Sequence, residues 1–172
     1  MRGGPCGKMP GGQACVEFAM LLLVIVLLLM GVFDLACAIR ANNTIANMSR
    51  EGANLASRSS AGLRDNPQAI MDTLAATAQS LDMRGEGMMY ITVVQGGTIT
   101  LQEGWKNGAL AASSKVGTPS ESDPHPKARN LESLNLTSGQ TAYVVEVFYD
   151  YRSLFSNGVM TLANRFYSRT VF

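Results

Sequence analysis

The chain falls by pattern into an apolar run, a stretch of helical periodicity and a region of β alternation. Phe18 to Phe33 carries no charge and no strongly polar side chain. If Glu17 and Asp34 are tolerated, the low-polarity run extends from Ala14 to Ile39. As a helix rising 1.5 Å per residue, that stretch reaches about 39 Å, more than the roughly 30 Å hydrocarbon core of a bilayer. A membrane helix is predicted, which argues against a freely soluble enzyme. Beyond it, Ala41, Ile45, Met48, Gly52, Leu55 and Ser59 step by fours and threes along one helical face, opposite Asn43, Asn47, Arg50 and Ser57. That stripe suits packing on a sheet of the same chain or a seam against another subunit. Gly52 permits a close approach or a bend.

Ser59-Ser-Ala-Gly62 reads as the end of this helix. A second helix starts well, with Asn66 as cap and Pro67 at the first helical position. Its stripe is Ile70, Leu74, Ala78 and Leu81, and it is expected to stop near Arg84-Gly85. The pattern then becomes extended. Met88 to Gln95 is a strand, Gly96-Gly97 a hairpin turn and Thr98 to Gln102 the return strand. Thr141 to Tyr151 is the strongest strand. Tyr143, Val145, Val147, Tyr149 and Tyr151 take one face, and Val144, Glu146, Phe148 and Asp150 the other. Glu146 is open to pairing with a basic neighbour or to solvation. Met160 to Phe172 reads as a closing strand, with a helix as the alternative because Arg165 and Arg169 lie four apart.

The fold class expected is α+β. A long N-terminal helix leads to a head of one small helix and an antiparallel sheet of three or more strands. The helix covers one face of that sheet and the other stays partly wet. The segments are 1–12 as a leader, 13–62 as the membrane helix and its continuation, and 63–172 as the head.

Composition narrows the chemistry. Fourteen basic and thirteen acidic residues nearly balance, so nucleic acid is not an expected partner. Cys6, Cys15 and Cys37 all precede the head, which therefore has no internal disulfide. Cys15 and Cys37 lie too far apart on one helix to bridge. They suit small apolar positions, with intermolecular pairing as the lesser reading. Phosphate-loop, nucleophile-elbow and His-Glu-x-x-His patterns are missing from the sequence. His125, in Asp123-Pro-His-Pro126, has no second histidine near it, so neither catalysis nor a metal is expected there. Glu146 and Asp150 make a poor acid–base dyad. Trp105 suits packing better than a binding platform. Lys115 to Asn130 is Pro-rich and polar, and reads as an exposed arm or partner contact. Asn42-Asn-Thr44 and Asn135-Leu-Thr137 match the glycosylation pattern, which matters only in a glycosylating compartment. No cofactor and no enzymatic activity are expected.

Glu17 is the informative polar residue. An ordinary secretory signal has a basic region, a shorter apolar region and a small-residue cleavage site. Ala36-Cys37-Ala38 resembles such a site, but the run is longer and an acid stands at its start. A carboxylate at the membrane mouth either faces water or meets a positive group. A cut between Gly12 and Gln13 makes Glu17 the fifth residue, one helical turn from a new α-amine. An amine of this kind on one subunit can pair with Glu17 of a neighbour.

Gly12-Gln-Ala-Cys-Val-Glu17-Phe18-Ala and the following apolar run resemble the class III signal of type IV pilins and pseudopilins. The closer similarity is to TadE-like proteins, minor pilins or pseudopilins of the tight-adherence (Flp) pilus system. Arg50-Glu51-Gly52-Ala53, Val144 to Phe155 and Arg165 to Phe172 resemble further elements of that family. The region from about 84 to 140 lies outside the resemblance. The resemblance implies cleavage after Gly12 by a prepilin peptidase, with Glu17 and Phe18 serving assembly and register. It implies partners among other minor and major pilins and an inner-membrane assembly platform. It also implies a cytoplasmic N-terminus and a periplasmic head, matching Arg2 and Lys8 before the apolar run. Major Flp pilins carry tyrosine where this chain has Phe18, and are much shorter, which points to a minor component. The rival readings are a single-pass anchored adhesion module that does not polymerise, and a small secreted enzyme released by ordinary signal cleavage.

Overall fold

A computed structural model describes residues 11–58, 66–131, 134–153 and 164–172. The leader up to residue 10, the turn at Ser59 to Gly62, Cys6 and the stretch from Leu154 to Ala163 lie outside the described residues. The elements run α1 (Gly11–Arg58), α2 (Pro67–Thr77), α3 (Met83–Glu86), β1 (Gly87–Gln95), β2 (Thr98–Gly104), β3 (Thr141–Tyr151) and β4 (Asn164–Val171). The chain forms two compact units, Met1–Cys37 and Ala38–Phe172.

In the first unit α1 is bare. Val16, Phe18, Leu21, Leu28 and Phe33 are all more than half exposed. Side chains of this kind, ringing a helix on every side, match a hydrocarbon solvent rather than water. Among the described residues, α1 is the helix long and apolar enough to cross a membrane.

The second unit is α+β. Its four strands are all antiparallel, in the order β2-β1-β3-β4. Gly96 and Gly97, at φ 57° and 81°, close the β1–β2 hairpin between Gln95 and Thr98. Both angles lie where glycine is favoured, and two such residues match the right-handed strand twist. β4 pairs with β3 from Val144↔Val171 to Tyr151↔Asn164. Strand pairing therefore decides against a C-terminal helix.

The α1 stripe packs on the sheet of its own unit. Ala41, Ile45, Met48, Ala53 and Ala56 join Met71 and Leu74 of α2 against Met89, Ile91, Val145 and Val147. Each large apolar side chain fully buried this way contributes about 1.5–3 kcal/mol. Gly52 is a point of close approach. A Cβ there would lie 2.8 Å from Leu74 Cδ1 and 3.1 Å from Val145 Cγ1. Ser49, fully buried, fixes the helix to the edge strand. Its hydroxyl donates to the Ala46 carbonyl at 3.0 Å, and so accepts from Ser168 at 2.8 Å and Thr170 at 2.9 Å.

Two expectations are corrected. First, α2 stops at Thr77, not near Arg84-Gly85. Its start is as read, with the Ala69 N–H donating to Asn66 Oδ1 at 3.1 Å. Downstream, Asp82 accepts from the Gly85 N–H at 3.0 Å and caps the separate turn α3. A side chain that caps a new helix ends the old one before it. Second, the far face of the sheet is covered, not wet. Val94, Ile99 and Val144 are buried there beneath Val116, Ala128 and Leu131. The cover comes from the segment expected to be an exposed arm. Its Arg129 N–H donates to the Val116 carbonyl at 2.7 Å, and the Ile99 N–H donates to the Pro126 carbonyl at 3.0 Å. Ala128 N–H donates to Gly97 O at 2.8 Å, so the segment also closes the β2 edge. Its tip, from Ser120 to His125, stays exposed, as do Lys115, Thr118, Lys127, Arg129 and Asn130 around the buried Val116 and Ala128.

Candidate functional site

The N-terminal candidates sit together on the first turns of α1. Gly12 is helical and exposed, and a Cβ there would meet nothing within 4 Å. Next to it, Gln13 Nε2 donates to Oε1 of Glu17, one turn further on, at 2.9 Å. Phe18 beside it is 63% exposed. The carboxylate thus has a neutral partner within its own chain, a contact that the sequence spacing of four signals and that was not anticipated. An amide is an uncharged donor, and it leaves Glu17 its second oxygen for a cation. The arrangement can hold an anion at the mouth of an apolar helix and present it to a neighbour.

In the second unit the polar centre is Glu146, which is completely buried. It is neither solvated nor paired with a basic side chain among the described residues. Three donors satisfy it instead. The Lys115 N–H reaches Oε1 at 3.0 Å, the Tyr167 hydroxyl reaches Oε1 at 2.8 Å, and the Ser114 hydroxyl donates to Oε2. Lys115 Nζ stands over the Tyr167 ring at 3.8 Å from its centroid, placing a cation behind the phenol. Burial, then the Glu146 charge, pushes the Tyr167 phenol well above the ordinary tyrosine range. Burial likewise raises Tyr90, whose hydroxyl donates to the Ala112 carbonyl at 2.6 Å. Both phenols therefore stay neutral donors. The cluster fastens the 109–117 segment and β4 to β3 through one carboxylate. Asp150, four residues on, takes no part: Arg165 holds it from Nε at 2.7 Å and from its terminal nitrogen at 2.9 Å. That guanidinium lowers the Asp150 pKa. The structure thus separates the two acids of β3 into different roles.

A second polar junction joins α2 to the end of β2. Trp105, 2% exposed, donates from Nε1 to Asp72 Oδ1 at 2.8 Å, and Asn107 donates to the same oxygen at 2.8 Å. The Trp105 hydrogen bond is the main cause lowering the Asp72 pKa, followed by Asn107 and the Arg84 charge. Gln68 bridges the same gap, donating to the Gly104 carbonyl and accepting from the Lys106 N–H. Trp105 is a packed residue with its polar edge satisfied. His125 Nδ1 contacts the Ile99 carbonyl oxygen at 3.1 Å, which gives the ring a place on the sheet edge. Cys15 and Cys37 are unbridged. Among the described residues no three His, Cys, Asp or Glu side chains come together as a ligand set.

A bare apolar helix with an acid at its mouth, and a small α+β unit after it in the chain, are the organisation of a single-pass membrane-anchored protein. Comparison with known proteins gives the same region a family: residues 12–54 match the family described as TadE-like protein. The match takes in about a quarter of the chain, from Gly12 through Glu17 and across most of the packed part of α1. No curated protein and no solved structure gives a match. The N-terminal region is therefore TadE-like, and the chain is a pilin-like, membrane-anchored assembly protein.

Proposed function

We propose that the protein is a minor pilin or pseudopilin that takes part in assembling a Flp-type tight-adherence pilus and in surface attachment. The observation that carries this reading is the coincidence of the TadE-like match at residues 12–54 with Glu17 at the mouth of the exposed apolar stretch of α1. In this reading a prepilin peptidase cuts between Gly12 and Gln13. The new α-amine of one subunit meets Glu17 of its neighbour, and Phe18 and the apolar surface pack between subunits. A charge pair in hydrocarbon is costly to break on one side only, so it acts as a register device. The N-terminus is cytoplasmic, the second unit periplasmic, and the chain is a substrate of the peptidase rather than an enzyme. Its partners are other minor and major pilins and the inner-membrane assembly platform.

One observation favours a second reading, a single-pass anchored binding module that does not polymerise. Glu17 already has the Gln13 amide on it. Replacing Glu17 separates the two. Glu17→Ala is expected to leave membrane insertion intact and to reduce recovery in sheared pilus fractions at least tenfold. Normal incorporation of E17A would remove the register role and leave the anchored module as the better account.

A further inference from the structure

A cleft of about 840 Å³ opens beside the segment that covers the sheet, lined among others by Lys115, Thr118, Asp123, Lys127, Arg129 and Asn130. Its size lies within the range of small-molecule sites, and its walls are built rather than draped. Arg129 N–H is fixed to the Val116 carbonyl at 2.7 Å, and Asn130 Nδ2 to the Lys115 carbonyl at 2.8 Å. Asn130 holds a left-handed φ of 60° to do so. Lys115 N–H is tied to the buried Glu146, and Val116 beside it is fully buried. The lining therefore hangs from the core through short bonds.

Most of its charges are not used by the fold. Lys115 is occupied by the Tyr167 ring. Among the described residues the side chains of Lys127, Arg129 and Asp123 have no hydrogen-bond or ion-pair partner. Two free cations and one free carboxylate thus face one cleft. The whole chain carries a formal charge of only +1, so recognition rests on the cleft's own side chains rather than on a general field. A nucleic acid or polyphosphate, with its dense phosphate charge, would meet Asp123. A ligand using both signs offers an acid to the cations and a donor, a hydroxyl or an ammonium, to the carboxylate. The planar fork of Arg129 suits a carboxylate, and Asp123 and Thr118 suit the hydroxyls of a pyranose ring.

We propose that this cleft binds a carboxylated saccharide, such as a uronic acid unit of an acidic glycan. The site lies wholly within the second unit and does not depend on the pilus reading.

The test is calorimetric titration of the full chain, in a sugar-free non-ionic detergent at low ionic strength, with trigalacturonate. Neutral galactose trisaccharide and inorganic phosphate serve as comparisons. Saturable binding of the uronate, with none of the neutral sugar, is expected. The double variant Lys127→Ala with Arg129→Ala should weaken it at least tenfold. Asp123→Asn should weaken the uronate severalfold while leaving phosphate no weaker. These side chains are exposed, so thermal midpoints should hold, and glutamine at 127 and 129 replaces alanine if they do not. No saturation with trigalacturonate, or unchanged affinity in the double variant, would overturn the proposal. Phosphate binding as tightly as the uronate, with Asp123→Asn strengthening both, would also overturn it by marking a plain anion hole.

Discussion

Three donors converge on the Glu146 carboxylate, from Ser114, Lys115 and Tyr167. A buried acid of this kind is tolerated because its lone pairs are filled, and it is costly to remove for the same reason. Glu146→Ala leaves those donors unmet and is expected to lower unfolding stability by on the order of 3 kcal/mol. Glu146→Gln keeps the shape and one acceptor, and should cost less than half as much. Urea unfolding of the detergent-solubilised chain, followed by Trp105 emission, measures both; equal small losses would show that the donors find water instead. Trp105 also reports on Asp72. The folded pKa of Asp72 is depressed, chiefly by the Trp105 N–H. The stabilisation is therefore present above the unfolded aspartate value, about 3.9, and is lost as pH falls through the lower folded value. An acid titration of the single tryptophan's emission should have its midpoint below the ordinary aspartate range, and Asp72→Asn should abolish that step. Neither site was legible in the sequence beyond the residues themselves. Glu146 was visible as an acid among apolar neighbours on one strand face, but its partners lie far along the chain and in an irregular segment without periodicity.

The elements were mostly legible because their signals are local. Asn66-Pro67 starts α2, Gly96-Gly97 turns the hairpin, and the steps of Ala41, Ile45, Met48 and Gly52 mark the buried face of α1. What escaped was decided by competition or by distant pairing. Asp82 caps α3 and so ends α2 early; the closing strand, by contrast, was legible, and its register with β3 removes the helical alternative. The Pro-rich segment looked like a free arm because polar residues dominate it; Val116, Ala128 and Leu131 among them bury the far sheet face. Gly52 tests the helix–sheet contact. Gly52→Leu is expected to lower stability by about 1–3 kcal/mol through overpacking against Leu74 and Val145. Gly52→Ala should change it by less than about 1 kcal/mol, since better helix propensity offsets a contact with the movable tip of Leu74. Chemical denaturation of both variants checks the pair, and an equal loss for alanine and leucine would contradict the packing account.

At the scale of the whole molecule, two kinds of surface stand on one chain. Residues 11–37 present an apolar helix to a hydrocarbon solvent, and residues 38–172 form a packed α+β unit with buried polar ties. The assembly reading rests on the first and on its TadE-like match, and its chemistry requires a free α-amine one turn before Glu17. Intact-mass analysis with N-terminal peptide mapping of the membrane-extracted protein from its native host tests that requirement most directly. A mature chain beginning at Gln13 is predicted, placing Glu17 fifth. A chain retaining residues 1–12 would contradict the account, since no amine would then stand beside the carboxylate.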